Sequence, residues 1–249
     1  MTNNPTHYKG KEAIEHVVET QAEGKLTSLE SHGTELAGHL AAALDAARDT
    51  ALTLLILCFL FSQMKLSTID SFSFLICFAS GWLIWKMGRS GWLGWQRLER
   101  LHRMIAEEKW EIEHHRDQER EELYALYSAK GFEGKLLEEV VEVLMADGDR
   151  LLRVMVEEEL NLSLENQEHP LKQALGAGIG VLVSLFCIVP LLSFYPPYGV
   201  VISALLIIGI SGAATAFYQK NRRIPAFVWN TGLALLSWVT LASIWSWIH

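Results

Sequence analysis

The last eighty-one residues of this 249-residue chain contain no Asp or Glu, and three long apolar runs fill them, at 171–194, 200–217 and 225–248. A helix needs about 20 mostly apolar residues to cross a ~30 Å hydrocarbon core, and each run falls within the workable range. Lipid leaves a spanning backbone no water to bond to, so such segments are helices or closed barrels, and uninterrupted apolar runs of this length read as helices. The chain is therefore expected to be an all-α integral membrane protein.

Two further segments lie upstream. Residues 72–95 are long and apolar enough, with Lys86 and Arg89 near their end and Trp82, Trp85, Trp92 and Trp95 suited to an interfacial belt. Residues 51–64 are uncharged but too few, reaching only about 21 Å at helical rise. That helix must continue upstream through Asp49, Arg48 and Asp45 from about Leu40, drawing at least one acid to or into the bilayer. An ionisable group in a span is a functional candidate by default, which singles out Asp49 and, one turn away, Asp45. The alternative is that both sit at the membrane–water interface. Five spans put the termini on opposite sides. Lys220, Arg222 and Arg223 in one loop, and Arg97, Arg100 and Arg103 after the second span, place the N-terminus and the central region in the cytosol and the C-terminus outside. The first forty residues are polar and lack a signal-peptide core, so insertion is expected to depend on the internal spans. Gly176, Gly178 and Gly180, and Gly209, Ser211 and Gly212, would let helices approach closely, within one chain or between two. Pro190 is expected to kink the third span.

Between the second and third spans the character reverses. Residues 107–168 hold nineteen of the twenty-nine acidic residues against seven Lys and Arg. Residues 98–127 have no Pro or Gly and predict one helix. Gly131 and Gly134 mark a break, residues 135–145 a second helix with Leu136, Val140 and Leu144 inward, Asp147 and Gly148 a turn, and 150–162 a third helix. The domain plan is a cytoplasmic N-terminal segment 1–39, spans one and two in 40–96, a cytoplasmic three-helix acidic insert 97–168, and spans three to five in 169–249.

On a straight first helix Glu108, Glu111, His115, Glu119 and Glu122 fall within an arc of roughly 80°. Like charges so placed repel by about 0.2–0.5 kcal/mol per i,i+4 pair, a sign that a bound divalent cation would reverse. Oxygen donors with an occasional imidazole suit Fe²⁺ or Mn²⁺. A solvated acidic face is the other account, and Glu107, Glu113 and Glu121 do lie elsewhere. Residues 113–122 contain nothing apolar, so core packing cannot order them. Met155 and Glu159, at i,i+4, can face one point, although Met is more often core filler. Glu12, Glu15, His16 and Glu19 share a face that reads as a solvated amphipathic helix.

From Leu40 onward the chain resembles the vacuolar iron transporter family of plants, yeast and bacterial relatives. The likeness rests on five spans, the acidic insert between spans two and three, and local motifs. Glu108 and Glu111, then Glu119 and Glu122, match the family's paired insert glutamates; Met155, Val156 and Glu159-Leu160-Asn161-Leu162 match its Met-Met and Glu-Leu-Gly-Leu ending. The resemblance implies that Glu108, Glu111, Glu119, Glu122, Met155 and Glu159 bind metal. It also implies that Asp49, in Arg48-Asp49-Thr50-Ala51-Leu52-Thr53, lies on the translocation path, with Met87 a loose match further along. It implies a homodimer exporting Fe²⁺ or Mn²⁺ from the cytosol against protons, in a bacterial inner membrane or a eukaryotic vacuolar-type membrane. The sequence departs from the pattern in three places: residues 72–95 carry no acid, Val156 replaces a Met, and the Gly after Asp49 is absent.

Other classes fit less well. A net charge of −8 disfavours a nucleic-acid partner. Cys58, Cys77 and Cys187 sit in apolar segments without CxxC spacing, which disfavours disulfides and thiolate metal sites. No catalytic triad, phosphate loop or nucleotide fingerprint occurs, so neither an enzyme nor an organic cofactor is expected. The alternatives kept are a membrane-anchored iron-binding or ferroxidase-like buffer without transport, and a scaffold whose acidic helices bind another protein.

Overall fold

The computed structural model describes residues 36–159, 168–194 and 198–248, and every regular element among them is helical. These residues fall into two compact units, one within Gln96–Gln167 and the other within His32–Trp95 and Glu168–His249. The N-terminal face with Glu12, Glu15, His16 and Glu19 lies outside the described residues.

In the second unit, helix α1 (Gly38–Gln63) runs unbroken through Asp45, Arg48 and Asp49, starting close to the expected Leu40. It packs against α6 (Pro170–Phe194), α7 (Tyr198–Tyr218) and α8 (Arg223–Ile248). The core joins Ala51, Leu54, Leu55 and Cys58 of α1 to Ile188, Ala204, Ile208 and Ala234. The crossing of α1 and α6 is backbone on backbone. A Cβ at Gly176 would stand 2.1 Å from the His39 carbonyl oxygen, and one at Gly180 would stand 2.0 Å from that of Ala43. Close by, the Ser184 hydroxyl donates to the Ala47 carbonyl at 3.0 Å. Gly209 and Gly212 meet Phe227 and Asn230 of α8. These small residues thus serve packing within the chain. Helix α6 continues through Pro190.

Among the described residues four helices are long and apolar enough to cross a membrane: α2 (Thr68–His114), α6, α7 and α8. Their outward faces carry Phe74, Trp85, Phe186, Trp229 and Trp247, and only 6% of the apolar window of α8 is buried. Apolar surface on this scale belongs against lipid, which makes the chain an integral membrane protein. Helix α1, with three charged residues in its first half, is not among the four.

The first unit differs from the sequence expectation in four ways. The second span and the first insert helix are a single element, α2, because nothing between Thr68 and His114 caps or breaks it. The predicted helix 98–127 is instead interrupted at His115 (φ −126°, ψ 37°), after which α3 (Arg116–Ala129) begins. The bend lets Ile112 and Leu123 reach one core with Val141, Leu151 and Met155. A straight helix would hold those two about 16 Å apart. Helix α4 (Gly134–Met145) follows Gly131, whose φ of +93° suits only a residue without a side chain. Its register is one residue away from expectation: Leu137, Val141 and Leu144 face inward, while Leu136 is exposed. Asp147 caps α5 (Gly148–Val154) through the Asp149 amide at 3.0 Å. Helix α5 then widens into a π turn, Met155–Glu159, where an unbroken α-helix was expected. Residues 160–162 lie outside the described residues.

Candidate metal-handling residues

In the membrane unit Asp49 stands eleven residues into α1, about 17 Å along its axis. The Lys86 Nζ donates to its Oδ2 at 2.6 Å. The Lys86 side chain is 7% exposed and that of Asp49 50%. The ammonium also lies 5.9 Å from the Trp82 ring centroid. Trp82 is held in turn by its Nε1, which donates to the Thr50 hydroxyl at 2.9 Å, and Thr50 donates to the Ala46 carbonyl. Arg48 is engaged elsewhere, donating to Asp45 Oδ1 at 2.5 Å and, at 3.5 Å, to Asn230 Oδ1. Asp45, Arg48, Asp49 and Lys86 therefore sum to zero charge. The Met87 thioether packs on α6, where a Cβ at Gly178 would stand 3.0 Å from its sulfur.

Where α1 and α6 begin, Glu168 accepts from the His39 backbone amide at 2.6 Å and from its Nδ1, and pairs with Lys172 at 3.0 Å. Burial pushes the Glu168 carboxyl up, but the Lys172 and His39 bonds outweigh it, and the net shift is below the ordinary glutamate value.

In the acidic unit the buried stripe of α2 is Leu101, Glu108 and Ile112, and that of α3 is Glu119, Glu122, Leu123 and Leu126. Glu108, Glu119 and Glu122 are 5%, 0% and 1% exposed. Glu111 is half-buried, while Glu107, Glu113 and Glu121 are exposed. Glutamates are seldom buried so fully unless compensated, because a desolvated carboxylate costs several kcal/mol. Each of the four does have an interaction partner. Met155 and Val156, both fully buried, face the same two stripes: Met155 clusters with Ile112 and Leu123, and Val156 with Leu101. The π turn that carries them is a geometry often found at functional positions. Within it Glu158 accepts from the Tyr127 hydroxyl at 3.2 Å and pairs with Lys130, whose ammonium also covers the Tyr127 ring. Burial raises the Tyr127 hydroxyl and lowers the Lys130 ammonium.

The break at His115 divides the expected single face, so that Glu108 and Glu111 stand on one helix and Glu119 and Glu122 on another. Among the described residues no three His, Cys, Asp or Glu side chains are grouped to hold a metal ion. The side chain of Glu159 lies outside what the structure describes. Sequence reasoning missed the Lys86 partner of Asp49 and the role of Glu168. The one available signal for Lys86 was a cation within an apolar run, opposite a run that carries an acid.

Residues 86–248 match the model of the VIT family. No curated protein matches the chain. Lys86 and Met87 fall inside the matched range, and Asp49 lies before it.

Proposed function

The chain belongs to the VIT (vacuolar iron transporter) family of membrane metal transporters, and from that premise we propose that it exports Fe²⁺ or Mn²⁺ from the cytosol in exchange for protons. The ion is substrate here. Glu108, Glu111, Glu119, Glu122 and Glu159, with Met155, collect it in the acidic unit on the cytosolic side. Helix α1 is the fifth span, Asp49 is its exchanging carboxylate, and Met87 lies further along the path in a homodimer.

The observation that carries this reading is the burial of Glu108, Glu119 and Glu122 in stripes that face Met155 and Val156. A merely solvated acidic face has no reason to withdraw those glutamates from water and leave Glu107, Glu113 and Glu121 in it. Carboxylate oxygens suit a hard divalent ion such as Mn²⁺, and a Met thioether is a softer donor.

The test is metal uptake into sealed proteoliposomes under a proton gradient. Wild type should take up Mn²⁺ and move protons the other way. Asp49→Asn, which keeps the size and removes the charge, should stop both, and Asp45→Asn should do less. A wild-type rate no higher than that of empty liposomes would refute transport.

A second reading, a membrane-anchored metal buffer, is favoured by the ion pair between Asp49 and Lys86 together with the absence of any acid in 72–95. It predicts protein-bound Mn²⁺ with none in the vesicle lumen.

A further inference from the structure

We propose that Lys86 is a tethered counter-cation for Asp49, so that a divalent ion binds Asp49 only by displacing the ammonium, and monovalent ions are turned away. The inference rests on the assignment of Asp49 to the metal path.

The pair is built into the helices. Asp49 lies eleven residues into α1 and Lys86 eighteen into α2, about 17 Å and 27 Å from the respective helix starts. Both groups thus stand several turns inside their helices, and Lys86 is withdrawn from the surface while Asp49 is half exposed. Lys86 is buried on the α1 side, with Trp82 forming one wall of its pocket and Thr50 fixing Trp82. An ammonium withdrawn this far from water needs an anion, and Asp49 supplies it at 2.6 Å. Asp45, the other acid on α1, is engaged by Arg48. Asp49 keeps half of its side chain exposed, so an incoming ion has a face to approach while Lys86 holds the other.

Charge then decides which ion can enter. At equal distance the attraction to a carboxylate scales with the charge of the cation, so a divalent ion gains about twice what the ammonium gains. A divalent ion also repels the adjacent ammonium and drives it off. Na⁺ or K⁺ has no charge advantage over the ammonium already in place, which has no entropy of capture left to lose. Lys86 therefore raises the threshold for any cation and excludes the singly charged ones. That makes it a specificity-determining residue rather than an obstacle.

The experiment uses purified full-length protein with Mn²⁺ as the probe and follows the part of Mn²⁺ binding that Asp49→Asn removes. Lys86→Gln and Lys86→Met both delete the charge, and the pair guards against one of them failing to fold; Lys86→Arg keeps it. The neutral variants should bind Mn²⁺ at the Asp49 site about tenfold more tightly than wild type, and Lys86→Arg should match wild type. Sodium near 0.1 M, far beyond what screening alone explains at so short a range, should weaken that binding in the neutral variants and leave wild type unaffected. A neutral variant that gains an Asp49-dependent site where wild type shows none also supports the inference. Equal or weaker affinity in both neutral variants, or the same sodium response as wild type, overturns it. Those results are independent of flux. Transport fails if wild-type vesicles carry no metal, whereas this inference fails on affinity even where they do.

Discussion

Replacing Gly180 by Ala should damage this protein far more than the same replacement at Gly232 would. The added Cβ at Gly180 would lie 2.0 Å from the Ala43 carbonyl oxygen, 2.8 Å from its carbon and 3.0 Å from the Ala47 nitrogen. Carbon atoms do not sit closer than about 3 Å to such neighbours, so α1 and α6 must part by about 1 Å. Both obstacles are backbone, and neither can swing away. Overpacking of this kind costs typically ~1–3 kcal/mol, and the backbone contact puts Gly180 at the upper end. Gly232 is the internal reference, since a Cβ there meets nothing within 4 Å. Its replacement should show only the helix-propensity gain of about 0.5–1 kcal/mol. Gly178→Ala should fall between, because the atom it meets at 3.0 Å belongs to the flexible Met87 side chain. The gap between Gly180→Ala and Gly232→Ala is then roughly 3 kcal/mol, or about 6–12 °C in melting midpoint for a chain of this size. The nine Trp residues allow melting to be followed by intrinsic fluorescence, in one detergent at one heating rate. Gly180→Ala melting level with Gly232→Ala would mean that the two helices do not cross at backbone contact.

Three further outcomes follow from the same structure. Changing Glu108, Glu111, Glu119 and Glu122 together to Gln should remove the Mn²⁺-induced rise in melting temperature of the full-length protein, which a saturating ligand at about 100 times its Kd would raise by some 2.7 kcal/mol of stability; an undiminished rise disproves the assignment of those four residues. A reporter fused after His249 should be active outside the cytosol and one in the acidic unit inside, and activity of both on one side would remove α1 from the count of spans. Because the Glu168 carboxyl is held below its ordinary value, its contribution to stability is present above that value and is lost as pH falls through the folded one. Melting midpoints measured from neutral pH down to about 3 should therefore drop less steeply at the acid end for Glu168→Gln than for wild type. Identical slopes would show that the His39 and Lys172 contacts do not hold the carboxylate in solution.

The parts of the fold that were legible are those set by local chemistry. The length of α1 followed from an apolar run too short to span, and the turns followed from Gly131, Gly134 and Asp147. What escaped depends on partners distant in sequence. Residues 113–122 contain no Pro or Gly to mark a break, and the shared core around Met155 is what makes a bend at His115 worthwhile. Leu136 and Leu137 are adjacent, equally apolar residues, so periodicity alone did not decide which of them faces Val141. Spacing did separate the buried Glu108, Glu119 and Glu122 from the exposed Glu107, Glu113 and Glu121, but the single face expected of a straight helix is divided at His115. The ion pair of Lys86 with Asp49 was not legible, since no spacing rule links residues on different helices.

The crossing of α1 with α6 also sets an order of events at the ribosome. Helix α1 is made first, yet the groups that receive it, the Gly176–Gly180 groove and Ser184, are made last but for two helices. Ala47 and Ser184 are separated by 137 residues. At about 5–20 residues per second, α1 waits on the order of ten seconds for its partner to emerge. During that interval its Asp45 and Arg48 are near enough to satisfy each other, whereas Asp49 depends on Lys86 arriving with the next helix. The pairing of Asp49 with Lys86 can thus form before the tightest packing of α1 exists.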